Sequence, residues 1–305
     1  MSAPPKSAPP KLFDRALHRR RLARAASGYA AADFLKRRAA EDIVERLEAI
    51  QRQFPLTLDL GARSGAFAEV LARSDAAAKV GLLVEADLSP AMLTGRTGPR
   101  LVLDEEALPL ADASLDLVVS SLALHWANDL VGALIQARRA LKPDGLFIGA
   151  ILGGATLTEL RQALLQAESE LAPGVGPRVS PFADAYDGAA LLQRAGFALP
   201  VSDVDRVTVR YAHPLKLLAD LRAMGETNVL VERPRAPLTR PILARTFEIY
   251  VERFAEADGR IPATFEIITM TGWSPHPDQQ QPLRPGSAKM RLADALGVVE
   301  HKAKR

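Results

Sequence analysis

The stretch Leu56 to Gly65, LTLDLGARSG, restricts what this chain can fold into more than any other. An apolar run through Leu56, Leu58 and Leu60 stops at Gly61, and a helical pattern built on Phe67, Val70 and Leu71 follows Gly65. Strand, tight glycine turn and helix in that order let backbone N–H groups approach a ligand, because glycine tolerates φ > 0 where another residue is strained. A second apolar run, Val80 to Asp87, comes next and ends in an acid. An acid roughly 20 residues past such a turn is where a nucleotide-binding βαβ unit grips ribose hydroxyls. The competing reading is an ordinary αβ turn with an acidic strand end.

The alternation continues along the chain. Ser89-Pro90 opens a helix, with serine as N-cap and proline in the first turn. Leu101–Asp104 reads as a third strand, and Leu115–Ser121 as a fourth, apolar along its length like a strand covered on both faces. Leu130, Ala133, Leu134, Ala137 and Leu141 give a helix, Pro143-Asp144-Gly145 a turn, and Leu146–Leu152 a fifth strand. This pattern predicts a doubly wound parallel sheet. Ligands of such sheets bind outside the carboxyl ends of the strands. Asp59, Asp87, Asp104 and Ser120-Ser121 all fall at or near those ends, which points to one composite site.

Around this core the chain divides into a proline-rich tail (1–11), N-terminal helices (12–55), the core itself (56–155), a remainder with a helical substrate-side insertion (156–273) and a polar tail (274–305). Lys36 to Gln53 is an amphipathic helix on Ala39, Ala40, Ile43, Val44, Leu47 and Ile50. The later part reads as helices near 157–167, 188–195, 214–224 and 237–257, with strands over 201–211 and 263–273. With 305 residues and 48% hydrophobic content, a sizeable core is expected in one large domain or two. The absence of cysteine excludes disulfides, thiolate metal sites and a cysteine nucleophile. The histidines lack metal-ligand spacing, so no metal is expected. A net charge of +3 is no nucleic-acid footprint. No apolar run is long enough to span a membrane, and the start has no apolar signal-peptide core. The helix expected over Lys11–Ala26 carries Arg15, Arg19, Arg20, Arg21 and Arg24 against Asp14 alone, either a basic surface for a partner or anionic lipid, or a solvated face.

Together, LDLGARSG, EADLSPAML, DEEALPLADASLDLVVSSLALHW and LKPDGLF resemble the class I S-adenosyl-L-methionine-dependent methyltransferases of the type 11 group. That resemblance implies a Rossmann-like α/β fold, with a mostly parallel seven-stranded sheet, an antiparallel last strand and added helices. It implies S-adenosyl-L-methionine as cofactor, with Asp59, Gly61 and Gly65 at its methionine part, Asp87 and the adjoining Leu88 at the ribose, Asp104 and Glu105 at the adenine, and Ser120 at the fourth strand end. The usual G-x-G-x-G is broken by Arg63, which either obstructs the backbone approach or pairs with the cofactor carboxylate; pairing is the expectation.

FDRALHRRRLARAA, LLQRAGFALPVSDVDRVTVRY, DLRAMGETN, ADGRIPATFEIITMTGW and RPGSA resemble more narrowly the respiratory complex I assembly factor 5 family. Its mitochondrial member is an arginine hydroxylase acting on a complex I subunit. The resemblance implies a protein-arginine-modifying enzyme with a complex I subunit as partner, in the bacterial cytoplasm, resting on the inner membrane through the basic helix. The rival readings are a methyltransferase on another protein or small molecule, and a non-catalytic assembly chaperone. The malonyl-carrier-protein methyltransferases share the core motifs; their pattern is not evident in the second half. His125 can orient a substrate or accept a proton, and Trp126 can pack a guanidinium. Glu226 and Asn228, after the helix of DLRAMGETN, offer a carboxylate and an amide to an arginine side chain. For both pairs the alternative is structural: loop packing for His125 and Trp126, a glycine-ended helix cap for Glu226 and Asn228.

Overall fold

The protein is described from a computed structural model, in which residues 11–184 and 187–279, with 290 and 297, are placed. The proline-rich start, the RPGSA segment and the basic end lie outside the described residues. Among the described residues seven strands form one sheet: β1 (Phe54–Leu60), β2 (Val80–Asp87), β3 (Arg100–Val102), β4 (Leu115–Ser121), β5 (Leu141–Leu152), β6 (Ala198–Tyr211) and β7 (Ile261–Trp273). Their order is β3-β2-β1-β4-β5-β7-β6. The first five run parallel, and β7 runs antiparallel to both of its neighbours. The expected doubly wound sheet with an antiparallel last strand is therefore present. The helices are α1 (Arg15–Ala25), α2 (Phe34–Ala49), α3 (Ala66–Leu71), α4 (Leu130–Ala140), α5 (Thr158–Leu171), α6 (Asp187–Arg194), α7 (Pro214–Ala223) and α8 (Arg240–Phe254).

β4 and β5 are apolar at successive positions because helices cover both faces. Leu117, Val119, Leu146 and Ile148 pack against Ile43 and Leu47 of α2 and Phe67 of α3. Val118, Phe147 and Ile151 face the other way, onto Leu134 and Ala137 of α4 and Leu192 of α6. Each such side chain contributes about 1.5–3 kcal/mol on burial. A further cluster joins α5, α7 and α8 through Leu160, Leu221, Ile249 and Phe265. No described helix is long and apolar enough to cross a membrane. The main compact unit ends at Pro275.

Three local expectations differ from the structure. Ser89-Pro90 opens only a 3-10 turn, Pro90–Leu93, and the serine side chain makes no cap. Its N–H is instead held by Asp87 Oδ1 at 2.8 Å, which fixes the chain direction after β2. Pro143–Gly145 is an irregularity within β5, where the pairing jumps from Leu115↔Leu141 to Leu117↔Leu146 and Asp144 takes φ 63°. β3 stops at Val102, leaving Asp104 in an isolated bridge with Ala107.

The strand order reverses at β1, whose neighbours are β2 and β4. The crevice outside their carboxyl ends is where a doubly wound sheet places its ligand. Gly61 sits there at φ 81°, and a Cβ on it would lie 2.2 Å from Ala123 Cβ. The packing of β5 can be tested at Gly149, where an added Cβ would lie 2.6 Å from Phe147 Cζ. Gly149→Ala is expected to lower the urea-unfolding free energy by about 1–3 kcal/mol through overpacking. In a Phe147→Leu background most of that loss should disappear; full additivity in the double-mutant cycle would show that the ring is not the obstacle.

Candidate functional site

The loop after β1 carries Gly61 and Gly65 at φ 81° and Arg63 between them at φ 53°. The Arg63 side chain turns inward and is 0% exposed, as is Asp87 at the end of β2. Arg63 donates twice to Asp87 Oδ2, from its backbone N–H at 3.0 Å and from Nη1 at 2.7 Å. Nη1 also lies 3.8 Å from Glu105 Oε1. The residue expected on the cofactor carboxylate is thus placed on the expected ribose acid. The acids expected at the adenine are engaged in the same way: Arg15 of α1 donates from Nη2 to Asp104 Oδ1 at 2.7 Å and to Glu105. Burial lowers the Arg15 pKa, but Glu105 and Asp104 outweigh it and hold the guanidinium above its ordinary value. His18, one helical turn on, is held well below the ordinary imidazole range by burial and by Arg63 and Arg15.

Two further buried ionisable groups, Asp59 and Lys36, lie under the glycine loop without an ion pair between them. Asp59 is 0% exposed and neither oxygen has a hydrogen-bond partner. Burial pushes its pKa up to about 7, against the pull of Lys36. Lys36 Nζ donates to Gly61 O at 2.7 Å, Ser121 O at 2.5 Å and Ser121 Oγ at 3.0 Å. Burial lowers Lys36 to about 8, opposed by Asp59. One ammonium therefore ties α2 to the ends of β1 and β4. Ser120 is occupied differently: its hydroxyl donates to Leu60 O at 2.8 Å. Leu88 is buried with Leu22, Tyr29 and Met92.

On the substrate side, His125 and Trp126 form a 3-10 turn after β4. Trp126 Nε1 donates to Glu226 Oε2 at 2.7 Å, and His125 Nε2 lies 3.4 Å from the same oxygen. Glu226 is delivered by the end of α7: Gly225 takes φ 73°, Glu226 N–H donates to Leu221 O and Gly225 N–H to Arg222 O. That is a Schellman termination, the structural role expected of a glycine-ended helix, and it also aims the carboxylate. Asn228 borders the same cavity as Trp126 and Glu226 but is hydrogen-bonded elsewhere. Its Nδ2 donates to Pro177 O at 2.7 Å and its Oδ1 accepts from Leu230 N–H at 2.9 Å. The cavity that Trp126 and Glu226 border measures 640 Å³ and is lined by Leu160, Leu221 and Phe265 and by arginines including Arg222 and Arg235.

Three contributors were not singled out in the sequence: Lys36, Arg15 and His18. Lys36 had a signal, since it lies one turn before Ala40 on the apolar stripe of α2. Arg15 had none that set it apart from four neighbouring arginines.

An S-adenosyl nucleoside carries a ribose diol, an adenine edge and an amino-acid tail. The buried polar atoms without partners include both Asp59 oxygens, Ser89 Oγ, Glu105 Oε1, Arg63 Nε and Nη2, and His18 Nε2. Buried polar atoms are ordinarily paired, so acceptors and donors left over beside the strand ends are ligand-binding capacity. They suit such a nucleoside in kind, although Asp87, the acid expected at the ribose, is already bonded to Arg63. Among the described residues no group of three or more His, Cys, Asp or Glu is arranged to hold a metal ion.

A family described as methyltransferase domain matches residues 58–149. Arginine-hydroxylase NDUFAF5, mitochondrial, from Danio rerio is 39% identical and covers 93% of this chain and 89% of its own. Malonyl-[acyl-carrier protein] O-methyltransferase from Halorhodospira halophila is 37% identical over 86% of this chain and 88% of its own. The second likeness therefore reaches into the later half, where the motifs had pointed to the first family alone. The Bacillus subtilis YcgJ structure covers 78% of this chain and 99% of its own with a TM-score of 0.53 at 15% identity, a likeness of fold.

The Lys36 tie gives a stability test. Lys36→Met removes the donor to Gly61 O, Ser121 O and Ser121 Oγ and the nearby charge that offsets buried Asp59, and should cost about 3–5 kcal/mol in chemical unfolding, the range for leaving a buried charge uncompensated. Lys36→Met with Asp59→Asn should regain a substantial part of it. A double variant no more stable than the single would show that the lost donors to Gly61 and Ser121, not the uncompensated charge, carry the effect.

Proposed function

The chain belongs to the family of arginine-hydroxylase NDUFAF5, and from that membership we propose that it binds S-adenosyl-L-methionine and modifies an arginine of a complex I subunit during assembly, by hydroxylation as the relatives are named. In this reading residues 56–155 are the cofactor core and 156–273 supply the substrate side. Asp87 would take the ribose, with Leu88 packed beneath. Asp104 and Glu105 would face the adenine, and Asp59 with Gly61 and Gly65 the amino-acid tail. When bound, the cofactor supplies an electrophilic methyl group on a sulfonium. The chain's own residues bind, orient and exclude water around it.

The observation that carries the substrate reading is the Glu226 carboxylate, aimed at the cavity by the α7 termination and steadied by Trp126 Nε1. A desolvated guanidinium needs a charged, hydrogen-bonded acceptor, and Arg–carboxylate pairing supplies it. Trp126 itself is buried among the Phe13, His18 and His125 rings, so its part is to hold the carboxylate through Nε1. Exposed Arg19, Arg20 and Arg24 on the outer side of α1 offer a contact for anionic lipid in the bacterial cytoplasm. A second reading, methyl transfer to another protein or small molecule, is favoured by the 37% identity to the malonyl-[acyl-carrier protein] enzyme. The two differ in product: hydroxylation adds one oxygen atom and consumes an oxidant, whereas methyl transfer adds a methyl group and consumes none.

The test is the mass of the candidate complex I subunit, with and without this protein. Gain of one oxygen atom supports the proposal, and gain of a methyl group supports the rival. Glu226→Gln keeps an acceptor for Trp126 Nε1 while removing the charge. It should leave folding and cofactor affinity intact and lower substrate modification by the equivalent of about 2–5 kcal/mol, the cost of unpairing a buried charge. Undiminished modification by this variant would remove Glu226 from the substrate site.

A further inference from the structure

We propose that the Arg63 guanidinium is the chain's own occupant of the nucleoside site, competing with the ribose for Asp87 and setting the affinity for the cofactor. The inference rests on the assignment of Asp87 to the ribose and reverses the role expected of Arg63 from sequence.

The geometry of Asp87 defines the competition. A carboxylate that grips a ribose diol presents one oxygen to each hydroxyl. Asp87 Oδ1 already accepts Ser89 N–H at 2.8 Å and keeps one lone pair. Oδ2 accepts both the Arg63 backbone N–H at 3.0 Å and Nη1 at 2.7 Å, which fills it. The backbone bond belongs to the loop, but the Nη1 bond belongs to a side chain that can turn away. A diol therefore gains its second anchor only by displacing the guanidinium.

The pairing is itself incomplete, which makes exchange feasible. Arg63 is 0% exposed, yet Nε and Nη2 have no hydrogen-bond partner, and Glu105 Oε1, 3.8 Å from Nη1, also lacks one. A buried guanidinium with two unused donor nitrogens forfeits part of what would offset its desolvation. The main chain is not an obstacle either: Arg63 sits at φ 53°, a conformation glycine adopts freely. Arg63→Gly thus removes the competitor without straining the loop. The apparent affinity of a site open only part of the time is reduced by that fraction, so removing the competitor raises affinity.

S-adenosylhomocysteine is the probe, measured by calorimetry and by thermal shift on the full chain. Arg63→Gly should lower its Kd about tenfold or more, the change expected when a site that is open about one-tenth of the time becomes fully open. The ligand-free melting temperature should fall, because Asp87 loses its buried partner, and the rise on adding ligand should exceed that of the wild type. Arg63→Gln, which retains a neutral donor, should give a smaller gain in the same direction and serves if the glycine variant does not fold. An unchanged or weaker Kd in both variants overturns the competition, and a weaker one makes Arg63 a ligand. Wild type and variants that all fail to bind, while folded, instead refute the cofactor reading on which the proposal rests.

Discussion

A guanidinium buried on a buried carboxylate, Arg63 on Asp87, governs the state of the strand ends. Each group offsets the cost of burying the other, because desolvating a charge costs several kcal/mol. Asp87 consequently collects three donors: the Arg63 side chain, the Arg63 backbone and Ser89 N–H. Those bonds link the glycine loop to the end of β2 and set the direction of the chain beyond it. Arg15 repeats the device one strand further out, on Asp104 and Glu105. The acids at the end of β2 and beyond β3 are thus neutralised by the chain's own cations.

That arrangement makes α1 part of the site. Arg15 fastens its inner face to the acids, and Arg15 Nη1 also reaches Trp126 O at 3.2 Å. Phe13 packs edge-on against the Trp126 ring at 5.2 Å and pairs with Leu230 in an isolated bridge. Asp14 accepts from Arg233, and Arg21 donates to Asn228 O. One helix therefore touches both the acid end of the sheet and the segment beside the cavity. Arg15 thus joins the acids beyond β3 to the backbone of Trp126, whose indole holds Glu226. Lys36 does the corresponding work for α2, by joining the Gly61 and Ser121 carbonyls across the point where strand order reverses.

The difference between Glu226 and Asn228 shows how narrow a functional position is. Both follow α7, two residues apart. The Schellman turn at Gly225 directs Glu226 to Trp126, while the next residues leave that geometry and the Asn228 amide bonds the backbone of Leu230 nearby and of Pro177 in another loop. The cap reading and the substrate reading of this stretch are compatible, since the termination is what positions the carboxylate.

The sequence by itself determined the strand and helix order and the crevice outside the strand ends to which Asp87 and Asp104 belong. β2 and β4 end where their apolar runs end, at Asp87 and Ser121, because a strand covered on both faces shows its limits in its composition. The glycine turn was equally legible, since φ 81° at Gly61 and Gly65 is a local requirement. Family resemblance, rather than pattern, brought Glu226 to notice. The tertiary structure alone decided which partners the long polar side chains chose. Arg63 reaches Asp87 across 24 residues, Lys36 reaches Ser121 across 85, and Trp126 reaches Glu226 across 100. A flexible charged side chain has no periodicity that encodes its target. Its partner is set by which desolvated charge the fold places within reach, and that information exists only once the sheet is assembled.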